Sequence, residues 1–232
     1  MKKIVIYDFD GTLTPYPMTN FGILEKCGFI GGANNNEFQK LVVKRMMDKK
    51  IDVYTSFFET ILDVIESYGY PLKDEVLLFD VDKLEYNNGV LEFLKYLNNS
   101  NVDNYIISSG IKCFLDNIVI STYFKEIYAT TFKYNNKEIV GIDNLITDTK
   151  KIDCIKDIMY KNNINDCSNI IYIGDGLTDL PIMEYVKNNG GITIYVGDDI
   201  KDINKDNISY ICDKDYSKNS DIYKIVSEKF NI

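Results

Sequence analysis

Histidine is absent from this chain of 232 residues. That excludes Ser-His-Asp and Cys-His nucleophilic catalysis and removes the usual nitrogen ligand of a zinc enzyme. Arginine occurs once, at Arg45. The cysteines Cys27, Cys113, Cys154, Cys167 and Cys212 are odd in number, and no two have C-x-x-C spacing. They read as reduced thiols of a cytosolic protein, mostly serving as small core residues. Positive charge is in deficit: the formal net charge is −9 and the isoelectric point is about 4.7. So acidic a chain is a poor partner for nucleic acid or an anionic membrane, although a small phosphate could bind where positive charge is concentrated. Long apolar runs are missing too. MKKIVIYDFD starts like a secretory signal, but IVIY is too short for its apolar region. No stretch reaches the length of a membrane-spanning helix. The expectation is a soluble, cytoplasmic protein. Nothing in the sequence speaks to oligomeric state.

What is present is a regular alternation. Short β-branched runs at 4–7, 105–107, 127–129, 170–173, 192–196 and 208–211 predict buried strands. Amphipathic stretches at 90–97, 111–121, 151–160, 180–187 and 221–230 predict helices. Strand alternating with helix predicts an α/β fold: a Rossmann-like three-layer core with a mainly parallel sheet. TTFKYNNKEIVG, residues 130–141, predicts a hairpin turning at Asn135-Asn136. Residues 15–86 break the alternation with helical spacing in FGILEKCGF, EFQKLVVKRMMDK and YTSFFETILDVIESYGY. This stretch is too long for one crossover, so it predicts an inserted helical domain over a core made of 1–14 and 87–232. The alternative is that these helices simply pack on the sheet.

The chemistry lies in acids at strand ends. In YDFDGTLTPYP, Asp8 and Asp10 are two residues apart, so both can face one side at the carboxyl end of the first strand. That edge is where open α/β sheets bind ligands. A second acidic site, GDGLTD, follows the strand at 170–173 and supplies Asp175 and Asp179. If the two strands are neighbours, these carboxylates converge and need a counter-ion. Hard oxygen ligands with room for water point to Mg²⁺. A calcium EF-hand does not fit, because Leu13 stands at its glycine position and Thr19 at its glutamate position. IISSG, residues 106–110, offers hydroxyls and backbone N–H groups for an anion. TDTKKIDCI puts Lys150 and Lys151 at the start of a helix, either as pocket ligands or as plain solvated charges. Lys151 has Cys154 and Ile155 at core-facing spacing, which favours it over Lys150. Arg45 could take a substrate carboxylate or second phosphate, or be a solvated charge. GDDIKD, with Asp198, Asp199 and Asp202, reads as a solvated loop and helix start.

Four motifs in order, DFDGT, Ser108 of IISSG, Lys151 and GDGLTD, resemble the haloacid dehalogenase superfamily of phosphohydrolases. The overall look is most similar to its phosphoserine-phosphatase-like branch, and 15–86 falls where that branch carries a C1-type helical cap. The resemblance implies a phosphoric monoester hydrolase acting on a small phosphorylated metabolite. Asp8 would be the nucleophile, forming an aspartyl-phosphate, and Asp10 the general acid and base. Asp8, Asp10 and Asp175 would hold Mg²⁺, with Asp179 in support. Ser108 and Lys151 would bind the phosphoryl oxygens, with Ser109 beside them. An acid at Asp10 separates this pattern from the carbon–halogen enzymes of the superfamily. Two departures stand out: Ser109 occupies a position where glycine is common, and residues 15–24 hold no acid, so phosphoserine itself is not implied. A phosphomutase or phosphotransferase of the same chemistry, and a non-catalytic Mg²⁺-binding regulator, are the alternatives.

Overall fold

Alternate residues of a strand face opposite sides of a sheet, so the first strand must bury both of its faces. In the computed structural model, which describes residues 2–17, 22–197 and 205–232, it does so. Strand β1 (Lys3–Tyr7) lies at the centre of a seven-stranded sheet of order β4-β3-β2-β1-β5-β6-β7. The other strands are β2 (Val102–Ile111), β3 (Glu126–Asn135), β4 (Glu138–Asn144), β5 (Ile170–Gly174), β6 (Ile192–Val196) and β7 (Tyr210–Cys212). All neighbours are parallel except the antiparallel pair β3 and β4.

Ile4 and Ile6 join an apolar layer with helices α7 (Asp148–Lys161) and α8 (Leu180–Asn188), through Ile155, Ile158, Ile182 and Val186. Val5 and Tyr7 face the opposite layer, against α5 (Val90–Asn99) and α9 (Asp221–Phe230), through Phe93, Leu97, Val226 and Phe230. The three-layer α/β architecture expected from the alternation is the observed one.

Several boundaries differ from the expectation. Strands β2 and β3 run further than their apolar centres. The strand at 127–129 and the first arm of the hairpin are one strand, β3. The hairpin turns at Asn136 and Lys137, φ +48° and +69°, one residue later than expected, as a two-residue loop with positive φ at both positions permits. Helix α6 is only Lys112–Asp116, because Asn117 ends it: its side chain donates to the Cys113 carbonyl and its N–H to Phe114. The last strand begins two residues late, after Ile208 has been buried beside α8. Asp198, Asp199 and Asp202 lie outside the described residues.

Between β1 and α5 come α1 (Ile23–Lys26), α2 (Asn36–Lys49), α3 (Val53–Ser67) and α4 (Asp74–Leu77). Asn35 and Asp52 cap α2 and α3 with side-chain oxygens that accept backbone N–H groups. Lys50, at φ +54°, turns the chain between them. The apolar faces of α2 and α3 meet at Phe38, Val42, Phe58 and Ile61, and this contact continues into the layer below the sheet.

Candidate active site

Strand β1 continues beyond Tyr7 by one more sheet bond, from the Asp8 N–H to the Ile173 carbonyl at 2.9 Å. This holds Asp8 at the carboxyl edge, 8% exposed, next to the end of β5. Phe9 then turns into the core, and Gly11 takes φ +80°. A Cβ on Gly11 would lie 2.1 Å from Asp175 Oδ2, so only glycine lets the two loops approach this closely. Thr12 then donates its hydroxyl to Asp175 Oδ1 at 2.9 Å. The carbonyl of Thr12 accepts from Asn87 Nδ2 at 2.7 Å and from the buried Tyr216 hydroxyl at 3.0 Å, which fixes the turn.

Lys151 lies in the first turn of α7, and its side chain is 1% exposed. Its Nζ donates to Asp8 Oδ1 at 3.0 Å and to Asp179 Oδ1 at 2.7 Å. Lys150 points elsewhere and donates to Asn144 Oδ1 at 3.3 Å. Asp179 is fully buried. Its Oδ1 also accepts the Tyr172 hydroxyl at 2.6 Å, and its Oδ2 accepts the N–H groups of Asp175 and Gly176 at 3.1 and 3.0 Å. It therefore shapes the GDG loop while holding Lys151. Carboxylate oxygens of Asp8, Asp175 and Asp179 lie within 4.8 Å of one another.

Burial pushes the Asp8 carboxyl well above its usual range, and the Asp179 charge adds to this while Lys151 opposes it. Burial likewise raises Asp175, against the pull of the Lys214 ammonium 3.3 Å away. Burial alone would depress Lys151, but the carboxylates of Asp179 and Asp8 outweigh it and keep the lysine charged. Two carboxyls raised in this way, side by side at Asp8 and Asp175, fit a hard divalent cation, whose charge would restore their ionised form.

Ser108 is buried at the end of β2, where a register shift against β3 lies between Ile107 and Ile111. Its Oγ accepts the Gly110 N–H at 3.0 Å. Asp10, Ser109 and Gly110 line one side of a cavity of about 410 Å³. Helices α2 and α3 line the other side with Val42, Val53, Tyr54, Phe57 and Phe58. Arg45 is not in this cavity. Its guanidinium pairs with Glu59, at 2.9 Å, and with Asp63 on α3.

The structure thus brings Asp8, Asp175, Asp179 and Lys151 into one cluster. Asp10 and Ser109 line the cavity, and Ser108, next to Ser109 on β2, is buried. Sequence reading missed Tyr172 and Lys214 as neighbours of these acids. Tyr172, a hydroxyl inside an otherwise apolar strand, was a usable signal; Lys214, in a charged loop, gave none.

A family model described as haloacid dehalogenase-like hydrolase matches residues 5–184. A curated protein of Lysinibacillus sphaericus, named 2-hydroxy-3-keto-5-methylthiopentenyl-1-phosphate phosphatase, is 24% identical over 87% of this chain and 77% of its own. Its counterpart in Bacillus thuringiensis is 26% identical over 78% of each chain. Among solved structures, a substrate-bound phosphoserine phosphatase complex superposes with a TM-score of 0.68 at 17% identity, covering 98% of both chains. A hydrolase of the same family from Salmonella enterica serovar Typhi also gives 0.68 at 20% identity, covering 91% of this chain and 68% of that one. At these identities the structural likenesses speak to the fold.

Proposed function

The chain belongs to the haloacid dehalogenase-like hydrolase family, and within that family we propose that it is a Mg²⁺-dependent phosphatase of small phosphomonoesters. The observation that carries this reading is the buried Asp8–Lys151–Asp179 cluster, joined to Asp175, with Asp10, two residues along from Asp8, on the wall of a cavity. The curated relatives are named as phosphatases, which agrees with it.

In this reading Asp8 and Asp175 hold the ion, with the Asp10 backbone carbonyl, while Asp179 orients the loop that carries Asp175. Bound Mg²⁺ supplies positive charge against the phosphoryl oxygens and the nucleophile. One Asp8 carboxylate oxygen attacks phosphorus, and the bond from phosphorus to the substrate oxygen breaks as Asp10 gives that oxygen a proton. The product alcohol leaves, and Asp8 carries the phosphoryl group as an aspartyl-phosphate. Asp10, now ionised, takes a proton from water as the water oxygen attacks phosphorus. The Asp8–phosphorus bond then breaks and inorganic phosphate is released. Lys151 neutralises charge on the phosphoryl oxygens, and Ser108 and Ser109 provide hydroxyl and backbone donors near them. We further propose that residues 15–86 act as a cap of the C1 type, closing over the core formed by 1–14 and 87–232.

Phosphate release from a panel of phosphomonoesters, with Mg²⁺ and with EDTA, tests the reading. Metal-dependent release that disappears in Asp8→Asn is the expected result. Interconversion of phosphate isomers with little release would replace it with the mutase alternative. No turnover in folded, Mg²⁺-binding protein would favour the regulatory one.

A further inference from the structure

The cavity beside Asp10 has an unusual charge balance for a site that handles a phosphorylated metabolite. Among the described residues that line it, Asp10 is the sole charged group. Residues 18–21, which follow the lining residue Pro17, are Met-Thr-Asn-Phe and bring no charge by sequence. Arg45, the single arginine, is held by Glu59 and Asp63. Glu25, the first acid after Asp10, accepts the Gly31 N–H at 3.1 Å. A carboxylate on the leaving group would therefore find no cation among the described lining residues. An ammonium would find only Asp10, and pairing with it would take Asp10 away from the leaving oxygen.

Polar groups are also few. The Tyr54 hydroxyl is committed to Asp148, and Gln39 Nε2 donates to the Ala33 carbonyl at 2.5 Å. Asn34 and Ser109 are the other polar residues of the lining. A polyhydroxylated leaving group carries more hydroxyls than Asn34 and Ser109 can partner, and would bury the rest unsatisfied. The apolar part of the lining includes Val42, Val53, Phe57 and Phe58. Its rings are fixed edge-to-face: Phe57 on Phe58 at 5.4 Å, Phe38 on Phe57 at 5.6 Å, and Phe58 on Phe132 at 6.1 Å. Such a wall is preformed, and it favours apolar surface of matching size.

We propose that the alcohol released by this site is uncharged and mainly apolar, with an aryl or branched alkyl group seated against Phe57, Phe58 and Val42. The inference rests on the hydrolase reading above. It excludes amino acid, hydroxy acid and sugar phosphates as preferred substrates.

The test is kcat/KM of the wild-type protein with Mg²⁺ for benzyl phosphate and 3-methylbutyl phosphate, against O-phosphoserine, 3-phosphoglycerate and glucose 6-phosphate. All are esters of alkyl alcohols, so differences report recognition more than leaving-group reactivity. The two apolar esters are expected to lead by roughly 100-fold, a selectivity within the reach of a shaped apolar pocket. Equal or better turnover of a charged or sugar ester overturns the proposal while leaving the hydrolase reading intact. Release from none of the esters overturns the hydrolase reading, and the proposal with it. A second measurement compares benzyl with methyl phosphate, which carries no ring to seat against the wall. Phe57→Ala should lower the benzyl-to-methyl ratio of kcat/KM about tenfold, by loss of contact area from one side of the ring. An unchanged ratio in a folded variant also overturns the proposal.

Discussion

The ammonium of Lys151 bridges two carboxylates from different loops, 3.0 Å from Asp8 and 2.7 Å from Asp179, with all three groups almost entirely out of water. Removing one member of a buried ionic set leaves the others uncompensated. Lys151→Met is therefore expected to cost about 3 kcal/mol in stability. If the lysine also faces the phosphoryl oxygens, kcat should fall roughly 10²- to 10³-fold, as when a charge-stabilising donor is removed elsewhere. Urea unfolding and steady-state phosphate release measure the two effects. A variant with unchanged kcat would remove Lys151 from the chemistry and leave it a structural role.

Asp8→Asn separates chemistry from folding in the opposite way. Burial and the Asp179 charge disfavour the Asp8 anion, so an uncharged isostere should leave metal-free protein at least as stable as the wild type. The same change removes the proposed nucleophile, and turnover should fall below detection. Thermal melting in EDTA, together with phosphate release in Mg²⁺, reads both. Retained hydrolysis would sink the aspartyl-phosphate mechanism.

The raised carboxyls of Asp8 and Asp175 also set a pH dependence. In the unfolded chain each titrates near the ordinary value of about 4. In the folded, metal-free protein each holds its proton to higher pH. Between those values the native state binds more protons at these two groups than the unfolded state does, so their contribution to stability is full below about pH 4 and is lost as pH rises through their folded values. A cation that binds the ionised carboxylates reverses this loss. The gain in Tm on adding Mg²⁺ should therefore be larger at about pH 8 than at about pH 5. Scanning calorimetry with and without Mg²⁺ checks the sign; an equal gain at both values would contradict the cluster as the metal site.

These predictions rest on residues of unequal legibility. Strands β1, β5 and β6 were plain in the sequence because both faces are buried and the apolar run is continuous. Strand β2 reads short because its start includes Asp103 and Asn104, which carry no apolar signal, and β3 reads as a strand and a separate hairpin arm because its apolar run breaks at Thr130-Thr131. Asp8, Asp175 and Asp179 could be chosen because each follows a buried strand. The partners that fix them could not. Thr12 meets Asp175 because β1 pairs with β5, and strand order is not written in any local pattern. Lys214 reaches Asp175 from the loop after β7, at the far end of the sheet order. Arg45 stands out because it is unique, and its sequence context allows a ligand or a solvated charge; it is neither, because Glu59 and Asp63 on α3 pair with it.

Gly11 joins backbone conformation to the candidate metal cluster. Gly11→Ala would place an L-residue at φ +80°, which costs about 1–2 kcal/mol. It would also drive a methyl group into the Asp175 carboxylate. The expected outcome is a modest fall in Tm and at least a roughly tenfold rise in the Mg²⁺ concentration for half-maximal activity, comparable to loss of a supporting ligand contact. A Mg²⁺ titration of phosphate release checks this. An unchanged half-maximal concentration would show that Asp175 does not hold the ion.

The proposed cap meets the core at several places, among them Phe58 against Phe132 and the Tyr134 hydroxyl on Asp74, and one contact beside the cluster can be removed without touching its acids. The Tyr54 hydroxyl on α3 donates to the carboxylate of Asp148, one turn before Lys151 on α7. A hydrogen bond to a charged acceptor is worth about 1.5–3 kcal/mol when shielded, and less when water competes for it. Tyr54→Phe keeps the ring and deletes this bond, so it should shift the helices toward an open arrangement. The KM for a good substrate should rise several-fold, with a smaller change in kcat, because the closed state would be less populated. Trypsin cleavage near Lys44, Arg45, Lys49 and Lys50 should quicken in the free variant, and a phosphate analogue should slow it again. Identical cleavage with and without the analogue, in both proteins, would mean that α2 and α3 are a fixed wall and that the cavity fills without closure.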